Sequence, residues 1–359
     1  MIKVLVVEDS PVIQDLLVYT INSDPLLIVV GTAKDGEEAI KMVDEVRPDV
    51  ITMDIHMPKM DGITTTRKIM ETIPTPIIIV SSTFINGEVS RTFHAMEAGA
   101  LAILHRPPGI GHPDFQATSF ELINTIKLMS EIKVVRRWPR YQKQSDSKTL
   151  RSTLTDITFQ EKKIEKGAYQ VIAIGASTGG PVVLQTILSG LGKEFPVPIL
   201  IVQHIAKGFL QGFTEWLSLS CELPIHVAAH RELLTPGNVY VAPDGFHMGV
   251  DSSKRLILSK DEPEYSLRPA VSFLFRSVAN AYGSNSIGVL LTGMGKDGAK
   301  ELKTMKDAGA VTIAQNAESS VVHGMPGEAI LLDAATHILP PEKIITTLKM
   351  LTSNHDSKL

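Results

Sequence analysis

Short apolar runs recur along this chain with room for one helix between each pair, and that alternation restricts it to parallel α/β architecture. Ile2 to Val7 is such a run, broken only by Lys3 and ended by Glu8-Asp9. Further runs lie at 27–30, 50–53, 77–80 and 102–104, separated by helical periodicity at 12–21, 36–46, 62–72 and about 90–98 and followed by it at 119–129. Five strands and five helices predict a doubly wound, flavodoxin-like domain over residues 1–130. A second series begins at Val171 and continues to about residue 351. It predicts another doubly wound, Rossmann-like domain over 169–351.

The second series opens with Val171-Ile-Ala-Ile-Gly-Ala-Ser-Thr-Gly-Gly-Pro181, a strand, a glycine-rich turn and the start of a helix. Pro181 suits a first helical turn, where its missing N–H costs nothing. Ser177 therefore sits in a tight strand-to-helix turn beside free backbone N–H groups. Such a turn serves a nucleophile with its oxyanion hole, or equally a phosphate cradle. Two later strands weigh on that choice. Ile199 to Gln203 ends at His204, and Ile287 to Thr292 is followed by Gly293-Met-Gly-Lys-Asp297. A serine needs a base at neutral pH, and the base needs a carboxylate to fix its tautomer. Ser177, His204 and Asp297 at three strand ends of one sheet satisfy both needs. A dinucleotide site would instead want an acid at the end of the following strand, where Gln203-His204 stands. The order Ser, His, Asp also differs from the Ser, Asp/Glu, His order of α/β-hydrolases.

In the first series Glu8, Asp9 and Asp54 lie at the C-terminal ends of the first and third strands, where ligands of such sheets bind. Converging carboxylates repel one another, and Mg²⁺ is the usual remedy. With a cation beside it, Asp54 could act as a nucleophile toward a phosphoryl donor.

Between the two series, residues 131–168 lose all periodicity and read as a flexible linker. This stretch holds ten basic against five acidic residues, net +5, whereas residues 1–130 hold ten against seventeen, net −7. Only Trp138 and Tyr141 interleave with the linker charges, which favours a solubilising tether over nucleic-acid binding. The overall net charge of −4 makes no case for nucleic acid or membrane either. A tether of this length keeps the first domain at about millimolar effective concentration, so it can fold back over the active edge of the second. The single cysteine, Cys221, excludes an intrachain disulfide framework and reads as a small packed residue. No basic leader precedes an apolar stretch and no run is long enough to span a bilayer, so a cytoplasmic protein is expected.

Other side chains carry weaker signals. His226 and His230 are spaced i, i+4 but lack the glutamate of a zinc-protease helix, so a structural role is expected. Asp244 in Pro243-Asp-Gly245 reads as the turn of a hairpin between 239–242 and 246–250. His247 and His323 lie near glycine-rich segments and could line the cleft.

Two resemblances join these readings. Val-Glu-Asp-Ser at 7–10, Met53-Asp-Ile-His-Met-Pro-Lys-Met-Asp-Gly62 and Ile79-Val-Ser-Ser82 resemble a response-regulator receiver domain. The resemblance implies that Asp54 is phosphorylated and that Glu8 and Asp9 belong to the acid pocket. It implies that Ser81 supplies the hydroxyl that turns toward the phosphoryl group, with Mg²⁺ held by Asp9, Asp54 and the backbone carbonyl of His56. Arg106-Pro107 stands where the family carries Lys-Pro, and Ile103 where it usually carries an aromatic. Arginine can pair with phosphate but is not an equivalent donor in a tight pocket.

The second domain, through Gly175-Ala-Ser-Thr-Gly-Gly-Pro181, Val202-Gln-His204, Leu291-Thr-Gly-Met-Gly-Lys-Asp-Gly-Ala299, Ala314-Gln315 and Gly324-Met-Pro326, is similar to the chemotaxis protein-glutamate methylesterases. That likeness implies hydrolysis of glutamyl γ-methyl esters on the signalling helices of methyl-accepting chemotaxis receptors, with release of methanol and deamidation of glutamines. It implies Ser177 as nucleophile, His204 as base, Asp297 as its orienter, and the N–H groups of Thr178 and Met294 as oxyanion hole. No cofactor is expected for the ester chemistry. A chemotaxis histidine kinase is the expected phosphodonor, and a monomer is expected. Leu267-Arg-Pro-Ala-Val-Ser272 departs from the family's usual His-Arg-Pro-Ser-Val-Asp. Two rivals stand beside this reading: a phosphorylation-controlled binding module with a non-catalytic hydrolase fold, and a general esterase of small substrates.

Overall fold

The computed structural model describes residues 1–81, 88–132, 134 and 169–353. The expected linker, with Trp138 and Tyr141, lies outside the described residues apart from Glu131, Ile132 and Val134. The first series folds as β1 (Ile2–Val7), α1 (Pro11–Asn22), β2 (Leu27–Ala33), α2 (Gly36–Val46), β3 (Val50–Met53), α3 (Gly62–Thr72), β4 (Ile77–Ser81), α4 (Glu88–Ala98), β5 (Ala102–His105) and α5 (Phe115–Ser130). Its strands pair in parallel in the order β2-β1-β3-β4-β5. Val4 to Val7 and Ile77 to Val80 are almost fully buried because helices cover both faces of the sheet.

The second series gives β6 (Val171–Ala176), α6 (Gly180–Leu191), β7 (Ile199–Gln203), α7 (Leu210–Ser220), β8 (Ile225–Val227) and β9 (Val239–Val241). After these come β10 (His247–Val250), β11 (Leu256–Ser259), α8 (Val271–Tyr282), β12 (Ser286–Leu290) and α9 (Ala299–Asp307). The chain ends in β13 (Val311–Gln315), α10 (Met325–Leu331), β14 (His337–Leu339) and α11 (Pro341–Thr352). Seven strands form a parallel sheet in the order β14-β13-β12-β6-β7-β9-β8. The register sets Gly175 opposite Leu290 on one side and Val202 on the other, so β12, β6 and β7 end level with one another. Those are the strands that lead to Asp297, Ser177 and His204.

The hairpin expected around Asp244 is not formed. β9 pairs in parallel with β7 and β8, while β10 pairs with β11 in a separate antiparallel ribbon. A strand completing its pairing inside a parallel sheet has no edge to offer the next segment, so Pro243-Asp-Gly245 is a crossover. The Asp244 carboxylate instead accepts the Gly208 N–H at 2.8 Å, which fixes the loop after His204.

Apolar side chains of the two units pack together. Phe93 of α4 stacks on Trp216 of α7 with ring centroids 5.4 Å apart, and tilts against Phe213 at 5.5 Å. All three are buried. Glu97 of α4 accepts from Gln185 Nε2 at 2.7 Å and from Trp216 Nε1 at 3.1 Å. At the end of β5 the His105 ring lies 4.6 Å from that of Phe209, and its Nε2 meets the Lys207 carbonyl.

Candidate active site

Ser177 follows β6, half-buried, in a turn pinned from three sides. Its N–H donates to the Thr292 carbonyl at 3.0 Å, and its own carbonyl accepts from Gly180 N at 2.8 Å and Gln203 Nε2 at 2.9 Å. The same Gln203 amide donates to the His204 carbonyl at 2.8 Å. One buried side chain thus clips the backbone of the serine to that of the histidine. Gly293 presses on the serine from the β12 side, where a Cβ would lie 2.7 Å from Ser177 Cβ. A side chain there would press on Ser177.

His204 Nε2–H donates to Asp297 Oδ2 at 2.9 Å, with His204 9% exposed and Asp297 1%. This is the reverse of the chymotrypsin arrangement, in which Nδ1 faces the aspartate. It leaves Nδ1 as the ring nitrogen that does not face the carboxylate. Asp297 also receives the first two N–H groups of α8, Val271 N on Oδ2 at 2.7 Å and Ser272 N on Oδ1 at 2.8 Å. Burial alone would raise its pKa, but the hydrogen bonds and charge of His204 and the bonds from Ser272 hold it below the usual carboxylate value. The sign for stability follows: ionised Asp297 favours the fold at neutral pH, and that contribution is lost as pH falls through the depressed value.

The N–H groups of Thr178 and Met294 flank the serine, and neither is donated to an acceptor among the described residues. Thr292 holds both loops in place. Its Oγ1 donates to the Thr178 carbonyl at 2.9 Å, and its N–H donates to Gln315 Oε1 at 2.8 Å. Two free donors beside a serine at a helix N-terminus are what an oxyanion developing there would require.

Motif reading missed the supports. Gln203, Thr292 and Gln315 stood inside the quoted motifs, but nothing local in sequence says which way an amide points. Ser272 stands where an aspartate is usual, and the structure gives it a partner: its Oγ donates to buried Glu301 at 2.7 Å and accepts from Gly298 N at 2.9 Å. His247 is fully buried rather than in the cleft, accepting from Ala270 N at 3.2 Å and meeting the Glu262 carbonyl at 3.1 Å. It braces the loop that precedes α8. His226 pairs with Glu232 at 2.8 Å, and His230 Nδ1 accepts from Leu258 N at 3.1 Å, so the two rings have separate structural roles. Cys221, at the end of α7, has its thiol pKa pushed up by burial.

The second cluster lies at the C-terminal edge of the five-stranded sheet. Carboxylate oxygens of Glu8, Asp9 and Asp54 come within 4.8 Å of one another. Burial, then the Asp54 charge, raises the Glu8 pKa to about 7, and burial also raises that of Asp54. Glu8 Oε2 is buried without a hydrogen-bond partner. Crowded hard oxygen donors with an orphaned buried oxygen fit a Mg²⁺ ion. The Arg106 charge acts on Glu8 in the opposite sense to burial. Arg106 N donates to the Ser81 carbonyl at 3.0 Å.

A cavity of about 250 Å³ lies over Ser177 and His204, and its far wall is the five-stranded unit: Phe93, Met96, Ile103 and Leu104. Ile103, noted in the sequence only as a departure from an aromatic, faces the catalytic turn.

The chain matches the response regulator receiver domain family over residues 4–111 and the CheB methylesterase family over residues 172–348. It is 55% identical over 354 residues, 99% of each chain, to protein-glutamate methylesterase/protein-glutamine glutaminase 1 of Syntrophus aciditrophicus (strain SB). It is 54% identical to the protein-glutamate methylesterase/protein-glutamine glutaminase of Nitrosospira multiformis (strain ATCC 25196 / NCIMB 11849 / C 71), over 98% of each. The crystal structure of the Thermotoga maritima CheB methylesterase catalytic domain superposes with a TM-score of 0.50 at 39% identity, covering 51% of this chain and 98% of that one.

Ser272→Ala tests the support beneath the triad. Removing the hydroxyl leaves buried Glu301 and the Gly298 N–H without their partner and loosens the Asp297 loop. We expect labelling of Ser177 by a fluorophosphonate to slow by about tenfold or more. Unchanged labelling would show that Asp297 is held without it.

Proposed function

The chain belongs to the CheB methylesterases that carry a response regulator receiver domain, and from that footing we propose how its residues perform and control the reaction. Its activity is that of a protein-glutamate methylesterase and protein-glutamine glutaminase. The substrates we assign are glutamyl γ-methyl esters, and selected glutamines, on the signalling helices of chemotaxis receptors.

The observation that carries the mechanism is the 2.9 Å bond from His204 to Asp297 at strand ends level with the Ser177 turn. His204 Nδ1 takes the Ser177 proton as Oγ attacks the γ-carbonyl. The N–H groups of Thr178 and Met294 receive the charge that develops on the carbonyl oxygen. The tetrahedral adduct collapses as His204 returns the proton to the methoxy oxygen, and methanol leaves. Water, deprotonated by His204, then attacks the acyl-serine, giving the glutamate carboxylate and free Ser177. An amide follows the same course with ammonia as leaving group. A non-catalytic binding module would have no use for a buried carboxylate holding a histidine beside an open oxyanion hole.

In the receiver, Asp54 is our phosphoryl acceptor, with a chemotaxis histidine kinase as donor. Asp9, Asp54 and the His56 carbonyl would hold Mg²⁺, which supplies positive charge against the phosphoryl oxygens. Ser81 and Arg106 would respond to the new charge. The cytoplasm expected from the sequence suits both partners, and no helix among the described residues is long and apolar enough to cross a membrane.

Control follows from the covered cavity. A helix with side chains is about 10–12 Å across, so a receptor helix cannot reach Ser177 while Phe93, Met96 and Ile103 wall it in. Strand β5 would join the two events: Arg106 follows its end, Ile103 and Leu104 line the cavity, and His105 meets Phe209. A change in docking free energy of a few kcal/mol is enough to turn the closed form from dominant to minor.

Two experiments test this. Ser177→Ala should cut methanol release from a methyl-labelled receptor by several orders of magnitude with the fold intact, whereas near-normal release would remove the nucleophile from the mechanism. Glu97→Ala deletes two hydrogen bonds across the interface. It should raise methanol release by the unphosphorylated full chain about tenfold or more, two bonds to this partly exposed carboxylate being worth about 1–3 kcal/mol together. A basal rate that stays at the wild-type level would mean that this contact does not restrain the enzyme.

A further inference from the structure

Leu267 lines the cavity over Ser177, and the segment that carries it is fastened at several points. Glu264 and Leu267 exchange both backbone hydrogen bonds, at 3.1 and 2.8 Å. Arg268 Nη1 donates to the Lys260 and Asp261 carbonyls, each at 3.0 Å. The Glu264 carboxylate is gripped in turn by Arg276 of α8, whose Nη2 donates to Oε1 and whose Nη1 donates to Oε2 at 3.3 Å. A guanidinium offers this two-pronged geometry and an ammonium does not.

Arg276 also meets a second carboxylate. Its Nη1 lies 3.6 Å from Oε1 of Glu301, on the helix α9 that packs against α8. The other Glu301 oxygen accepts the Ser272 hydroxyl at 2.7 Å. Ser272 Oγ accepts Gly298 N–H at 2.9 Å, and Ser272 N–H donates to Asp297 Oδ1 at 2.8 Å. Ser272 and Arg276 stand four residues apart on α8 and therefore share one of its faces. From the cavity segment to the triad acid, Glu264, Arg276, Glu301, Ser272 and Asp297 follow one another with no link longer than 3.6 Å.

Exposure separates what the links do. The Arg276 side chain is 44% exposed and that of Glu264 27%, so their ion pair adds little to stability. The Glu301 side chain is only 11% exposed, and its charge has to be balanced locally. The Ser272 hydroxyl, the first turn of α9 and the Arg276 guanidinium supply that balance. Without the guanidinium, the Glu301 charge is better served by turning toward water. That turn frees the Ser272 hydroxyl, whose one proton, while donated to Glu301, leaves a lone pair aimed at Gly298 N–H. Gly298 adjoins Asp297, so the disturbance reaches the carboxylate that orients His204.

We propose that Arg276 is a positioning residue for the hydrolysis, setting the Asp297 carboxylate through Glu301 and Ser272 while its grip on Glu264 holds the Leu267 segment over the nucleophile. The inference rests on the Ser177, His204 and Asp297 reading and adds a residue that touches none of the three.

The test uses the full chain with Mg²⁺ and a small phosphodonor, acting on a methyl-labelled receptor cytoplasmic fragment. Arg276→Met should lower kcat about tenfold, as slight misplacement of a catalytic group does, with KM within about twofold of wild type. Tm should fall by no more than about 3 °C, because the lost pair is half exposed. The same substitution made in Glu301→Gln, which has no charge to balance, should change kcat by less than about twofold. An unchanged kcat in Arg276→Met overturns the proposal, as does an equal loss in both backgrounds or a loss that comes with collapse of Tm. Should Glu301→Gln fail to fold, Glu264→Gln takes its place. It cuts the grip on the Leu267 segment, should lower kcat severalfold, and overturns the proposal if kcat is unchanged. Release of as much methanol by Ser177→Ala as by wild type would mean that the hydrolase reading itself has failed. The link is then judged by the proton resonance of His204 Nε2–H, which Arg276→Met should shift and which, if unmoved, overturns the proposal.

Discussion

A carboxylate that is 1% exposed must find its hydrogen bonds inside the protein, and Asp297 finds three. Removing such a charge from water costs several kcal/mol, recovered only when its oxygens are well satisfied. The first two N–H groups of α8 supply two bonds and the favourable end of a helix dipole, and His204 supplies the third. These bonds require α8, the loop after β12 and the loop after β7 to meet at one point. Most of the catalytic edge is arranged by that requirement. Buried Ser272 and Glu301 anchor the α8 side, and His247 braces the loop before it. Gln203 ties the histidine backbone to the serine backbone.

The same edge is where the receiver docks, and the dock is built from different forces. Phe93, Phe213 and Trp216 bury apolar surface, while Glu97 gives the contact direction by accepting from two donors across it. Burial of the Glu97 carboxyl opposes its ionisation, yet the bonds from His94, Gln185 and Trp216 keep its pKa below the usual value. The contact is therefore made with an ionised partner at neutral pH. Its far end lies on β5, the strand that also leads to Arg106. From Arg106 the chain runs back within three residues to Leu104 and Ile103 in the cavity wall.

Much of this was legible in the residues. Apolar runs separated by helical periodicity specify parallel sheets, because each strand must be covered on both faces, and strand ends then collect Glu8, Asp9 and Asp54 at one edge and Ser177, His204 and Asp297 at another. Side-chain amide orientations were not legible, so Gln203 and Gln315 passed as motif letters. Strand partners were not legible either: 239–242 and 246–250 look like a hairpin around Asp244 until the parallel sheet claims the first of them. Contacts between remote segments leave no local trace, which is why Ile103 read as a missing aromatic when it is part of a wall over the nucleophile. Ser272 is the reverse case, a departure visible in sequence whose compensation by Glu301 needs the fold to be seen.

All of the chemistry rests on which histidine nitrogen faces the carboxylate. Nitrogen-15 spectra of the His204 ring in the full chain, recorded at a pH where the imidazole is neutral, read this directly. Nε2 should carry the proton, with a one-bond N–H coupling and the shift of a strong donor, and Nδ1 should be bare. Asp297→Asn should abolish that preference, since an amide also supports the other tautomer. A protonated Nδ1 in the wild-type chain would contradict the account, because the nitrogen assigned to take the serine proton would already hold one.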